Sequence, residues 1–135
     1  MILRAFFAAA KAHKGQKDKG GRAYIFHPLR VAKNSKGRDA KVVALLHDVV
    51  EDTDYNIEKL KLSVDQREAL ILLTHDKNVP YMTYIEKIKT NSLAREVKKN
   101  DLKDNMNLKR LKTISQSDLD RLAKYKKAYE FLNRD

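Results

Sequence analysis

A chain of 135 residues is about one domain long, enough to bury a core without staples, and its lack of cysteine excludes disulfides, thiolate metal sites and cysteine nucleophiles. Apolar residues make up 42% and charged residues 35%, a globular mix rather than a disordered one. The formal net charge of +11 points to a polyanionic partner: nucleotide, nucleic acid or acidic lipid. The longest unbroken apolar run, residues 5–10, is far short of the roughly 20 residues that span a bilayer, so no membrane segment is expected. Bracketed by Arg4 and Lys11, it also makes a poor signal peptide, and a cytoplasmic protein is expected.

Two prolines and four glycines, all of the glycines within the first 37 residues, favour helix almost throughout. In the opening stretch Leu3, Phe6, Phe7 and Ala10 share one helical face. Residues 15–22 follow as a basic loop that turns at Gly20-Gly21, and Tyr24-Ile25-Phe26 reads as extended. Pro28 suits a first helical position and biases His27 away from helix. Asp39 is a candidate cap for a helix over about residues 40–50. Residues 56–74 hold one or two helices with Ile57, Leu60, Leu70, Ile71 and Leu73 inward. Three more are expected over 81–88, 93–111 and 119–132, the last capped by Ser117. No repeat or linker divides the chain, so residues 1–135 are expected to form one compact all-α helical bundle.

Residues 41–54 carry the most information. Apolar side chains at 42–46 and 49–50 make this helix hydrophobic nearly all round, hence central, yet His47 and Asp48 interrupt it. Buried ionisable groups have to be paired, hydrogen-bonded or metal-bound. Glu51 stands one turn beyond His47, and Asp52 one turn beyond Asp48. A satisfied core histidine with a capping aspartate competes with a functional role here. A second anomaly lies further on, where Asp101 and Asn105 fall on the face marked by Ala94, Val97 and Leu108, although nearby lysines also permit a solvated face. With His27, the residues His47, Asp48 and Asp101 would supply two imidazoles and two carboxylates, a set suited to a divalent transition ion.

Four stretches carry a family resemblance: 12–16 (AHKGQ), 24–32 (YIFHPLRVA), 44–53 (ALLHDVVEDT) and 97–106 (VKKNDLKDNM). In that order they resemble HD-domain phosphohydrolases, and among them the hydrolase domain of RelA/SpoT-type alarmone enzymes and their small single-domain relatives. The resemblance implies an all-helical HD bundle and hydrolysis of the 3′-pyrophosphate of (p)ppGpp. It implies Mn²⁺ held by His27, His47, Asp48 and Asp101, with Glu51 and Asp52 acting on the attacking water. Asn105 and Lys19 would contact substrate, Lys19 near its phosphates. His13 matches a family position outside the ligand set. The chain departs from the family at Asp18, where an Arg is usual, at Asn100 before the last ligand, and at Asp104, where a His is common.

Two other functions compete. An HD hydrolase of a different nucleotide would keep the same metal ligands. A non-catalytic basic helical module for nucleic acid would explain the charge, but aromatics are only 7% and no recognition-helix motif is evident. Nothing in the residues fixes an oligomeric state. Tyr24 and Tyr84 read as core residues that could alternatively stack on a base, and His75 as a surface or capping histidine.

Overall fold

The computed structural model describes all 135 residues. Seven α-helices follow one another: α1 (Ile2–Ala12), α2 (Phe26–Asn34), α3 (Arg38–Asp52), α4 (Val64–Leu73), α5 (Tyr81–Lys89), α6 (Ser92–Asn105) and α7 (Gln116–Asn133). Short 3₁₀ turns lie at Ile57–Leu60 and Leu108–Arg110. There is no sheet; the basic loop holds a single antiparallel bridge between Lys17 and Ala23. The all-α expectation holds, and no helix is long and apolar enough to cross a membrane.

Helix α3 is the axis of the bundle, packed against α1, α2, α4 and α6, while α7 closes over α5 and α6. Val42, Val43, Leu45, Leu46 and Val49 are essentially sealed from solvent. Each such side chain contributes about 1.5–3 kcal/mol relative to exposure. The N-terminal end of α3 is tied to its neighbours. Asp39 lies in the first turn rather than capping it, since Gly37 (φ +92°) is the N-cap. The Asp39 carboxylate instead accepts from Gln66 Nε2 at 3.0 Å, next to the Ser63–Gln66 capping box of α4. Lys41 Nζ donates to the carbonyls of Ala32 (3.0 Å) and Ser35 (2.9 Å), satisfying the C-terminus of α2.

Several local expectations are corrected. In α1 the buried stripe is Ala5, Ala8 and Ala9, whereas Leu3 and Phe7 are exposed. Ile71 also faces solvent, while Leu60, Leu70 and Leu73 are buried. Tyr24 and Ile25 form a turn, and α2 starts at Phe26, so His27 and Pro28 both lie in its first turn, where a missing N–H costs nothing. Helix α6 stops at Asn105 instead of running to 111. Helix α7 is capped by Ser115, which shares a capping box with Asp118; Ser117 lies inside the helix.

Candidate metal centre and active site

Three helices deliver the polar residues to one point. The first turn of α2 brings His27, the second half of α3 brings His47 and Asp48, and the end of α6 brings Asp101. Their ligand atoms all lie within 4.8 Å of one another. His27 Nε2 stands 2.8 Å from Asp101 Oδ1 and 3.5 Å from Asp48 Oδ2; His47 Nε2 is 3.3 Å from both Asp48 Oδ1 and Asp101 Oδ1. Adjacent ligands in an octahedral shell of about 2.1 Å bonds are about 3 Å apart, so the spacing suits a small divalent ion.

The far side of each ring is anchored. His47 Nδ1–H donates to the Ala44 carbonyl at 2.6 Å, and His27 Nδ1–H to Asp104 Oδ2 at 2.7 Å. Both anchors aim Nε2 into the cluster, the tautomer a metal-binding imidazole requires. The nitrogen and oxygen donors, the shared focus and the anchored rings fit a transition-metal site.

Electrostatics keep the Asp101 carboxylate ionised. Burial alone would push Asp101 up, but the Lys98 ammonium, 2.9 Å from Oδ2, and His47 outweigh it and hold the carboxyl well below its usual range. Burial opposes charge on His27 too, yet hydrogen bonds to Asp101 and Asp104 raise its pKa to about 10. Tyr24 donates its hydroxyl to Asp48 Oδ2 at 2.7 Å; burial and that carboxylate keep the phenol protonated, well above its ordinary value. Tyr24 is therefore a fixed donor to Asp48 rather than a core filler.

Glu51 and Asp52 line the same cavity as His47, Asp48 and Asp101, at its solvent-facing rim. Burial raises both carboxyls, and the Asp48 charge adds to the rise at Asp52. Glu51 Oε2 accepts from the backbone N–H of His75 at 3.2 Å, and the His75 ring packs on Tyr84. So His75 belongs to the wall of the site and not to the open surface. Tyr84 is a core residue whose hydroxyl donates to the Leu73 carbonyl.

A second cavity, of about 390 Å³, adjoins the first and shares Tyr24, Asn105 and Tyr125 with it. Lys17, Lys19, Arg30, Arg110 and Arg121 line it against only two carboxylates, Asp18 and Asp118. Asn105 is exposed between the two cavities, its Nδ2 3.3 Å from Asp101 Oδ1. Lys19 reaches Asp118 at 3.9 Å. Asp18 is turned onto its own loop, where Oδ1 accepts from the Arg22 N–H at 2.9 Å. A Cβ on Gly20 would stand 2.7 Å from the Arg110 carbonyl oxygen, so glycine is what lets this loop close on the turn at 108–110.

All eight residues singled out in the sequence thus line one cleft. Missed were Tyr24 as a donor to Asp48, Lys98 as the counter-charge of Asp101, His75 as the anchor of Glu51, and Asp104 behind His27. Only Lys98 had a local signal, its i, i+3 spacing from Asp101.

The same architecture occurs in a solved structure of a metazoan SpoT ortholog, described as hydrolysing ppGpp and playing a role in starvation responses. It matches 98% of this chain and 85% of that one with a TM-score of 0.79 and 26% identity. A guanosine-3′,5′-bis(diphosphate) 3′-pyrophosphohydrolase of Aquifex aeolicus is 41% identical over 95 residues, 67% of this chain but 13% of that protein. The pyrophosphohydrolase MESH1 of Danio rerio is 39% identical over 90 residues, 59% of this chain and 50% of its own length. The chain therefore spans about half of a short curated relative and about a tenth of the long ones. No protein-family model matches it. Sequence and fold alike resemble ppGpp 3′-pyrophosphohydrolases.

Proposed function

We propose that this chain is a divalent-metal-dependent nucleotide pyrophosphohydrolase that removes the 3′-pyrophosphate of (p)ppGpp, with Mn²⁺ as its ion and the cytoplasm as its setting. The observation that carries this reading is the convergence of His27, His47, Asp48 and Asp101 on one point beside a cavity whose charged lining is five Lys and Arg side chains against two carboxylates. When bound there, the ion supplies hydroxide-like water at neutral pH and offsets charge on phosphoryl oxygens.

The chain's own residues do the rest. Lys17, Lys19 and Arg121 in the larger cavity attract and hold a substrate carrying several phosphate charges. Asn105, between the cavities, contacts the nucleotide where it crosses from one to the other. Glu51, its carboxyl made more basic by burial, takes the proton of the attacking water, and Asp52 orients that water. The water oxygen bonds to the phosphorus on the ribose 3′ oxygen, the P–O3′ bond breaks, and the 3′ oxygen gains a proton. Pyrophosphate leaves, with GDP or GTP as the other product. Tyr24, as an obligate donor, keeps Asp48 from rotating away.

The test is product analysis by anion exchange after incubation of Mn²⁺-supplemented protein with ppGpp. Pyrophosphate and GDP in equal amounts are expected. Orthophosphate as the product, or brisk turnover of dNTPs beside none of ppGpp, contradicts the assignment.

A further inference from the structure

Asp104 is outside the set of four ligands, yet its carboxylate takes as many side-chain hydrogen bonds as that of Asp101. Its Oδ2 accepts from His27 Nδ1 at 2.7 Å, and Arg30 donates through Nε to Oδ1 at 2.8 Å and through Nη2 to Oδ2 at 3.1 Å. Arg110 Nη2 adds a contact at 3.3 Å to Oδ2 and one at 3.1 Å to the Asp104 carbonyl. We propose that Asp104 is a positioning residue for the metal centre: clamped by Arg30 and Arg110, its carboxylate fixes the ring of His27 so that Nε2 faces the ion.

The two histidines differ in how they are held. His47 finds its acceptor in its own helix, the Ala44 carbonyl one turn back. His27 sits in the first turn of α2, and the acceptor for its Nδ1 comes from α6, 77 residues along the chain. The outer torsion of an imidazole is broad, so without a partner on Nδ1 the ring is free to turn and to exchange tautomers. A carboxylate also makes the ligand nitrogen more basic than a carbonyl does, and such partners are typically worth about 10–100-fold in metal affinity. The two arginines keep the carboxylate itself from rotating. They also dictate what a substitution does: both oxygens receive donors, so the amide of Asn places an N–H against either an arginine or His27.

The inference rests on the metal centre proposed above, and its experiment separates the two. Free Mn²⁺ is read by electron paramagnetic resonance during titration of wild type, Asp104→Ala and Asp104→Asn. The Nδ1–H proton of His27 is read by NMR in the zinc-loaded proteins. Asp104→Ala should bind Mn²⁺ about 10–100-fold more weakly and lose the downfield Nδ1–H signal, and Asp104→Asn should fall between. A purely structural ion pair would lower the melting temperature of these variants and leave the dissociation constant and the signal in place; that result overturns the role of Asp104. If the alanine variant loses its helical circular dichroism, the asparagine variant decides, and wild-type affinity in it is equally contrary. Wild type that binds no Mn²⁺ overturns the metal centre itself, and this inference with it.

Discussion

A divalent ion entering this site has to displace protons. His27 and His47 face the Asp48 and Asp101 carboxylates directly, and both imidazoles are shifted upward despite burial, because hydrogen bonds and the nearby carboxylates outweigh desolvation. For His27 the pKa rises from an ordinary 6.5 to about 10. At pH 7.5 removing that proton costs about 3 kcal/mol, at 1.36 kcal/mol per pH unit. His47 is shifted in the same direction, the Asp48 and Asp101 carboxylates outweighing its burial. Since the protonated folded state competes with the ion, apparent affinity should rise with pH, about tenfold per unit between pH 7 and 9 from His27 alone. Without metal the sign reverses. The folded pKa of His27 lies above the unfolded one, so its contribution to stability is complete below pH 6.5 and is lost as the pH climbs through about 10. Calorimetric titration with Mn²⁺ in two buffers of different ionisation enthalpy counts the protons released. At least about one per ion is expected, and about one fewer in His27→Gln. An affinity flat from pH 7 to 9, with heats independent of buffer, would refute the reasoning.

Glu51→Gln should keep the metal and lose about 10²–10⁴-fold in turnover, the usual worth of a general base; wild-type turnover in steady-state assays would pass the role to Asp52. Asp18→Arg should leave the Michaelis constant for ppGpp unchanged or raised, because the carboxylate, though on the cavity wall, is engaged by the Arg22 N–H and holds the loop turn; a tenfold fall would show that it opposes substrate. Leu46→Ala, at a fully buried position of α3, should cost about 3–5 kcal/mol in chemical denaturation, and a loss below 1 kcal/mol would show the site relaxes.

Residues whose meaning depends on their own helix were legible in the sequence. Histidine and aspartate in an otherwise apolar α3 had to be paired or ligating, and Asp101 broke the apolar face of α6 in the same way. What the sequence hid depends on how the helices cross. The Tyr24–Asp48 and His27–Asp104 bonds join residues 24 and 77 positions apart, and no spacing rule encodes them. Helix α1 misled because its large residues define an apparent face. The alanines are what allow close approach to α3, so Ala5, Ala8 and Ala9 go inside and Leu3 and Phe7 stay out. Ser115 and Ser117 each have an aspartate three residues on, Asp118 and Asp120, so the capping-box pattern did not choose between them.

The central claim is that His27, His47, Asp48 and Asp101 together hold one ion. Elemental analysis of desalted protein after Mn²⁺ loading tests it directly, comparing wild type with the His47→Ala, Asp48→Ala double variant. About one Mn²⁺ per chain is expected in wild type and almost none in the double variant, both retaining their helical circular dichroism. A full complement of metal in the double variant would contradict the account.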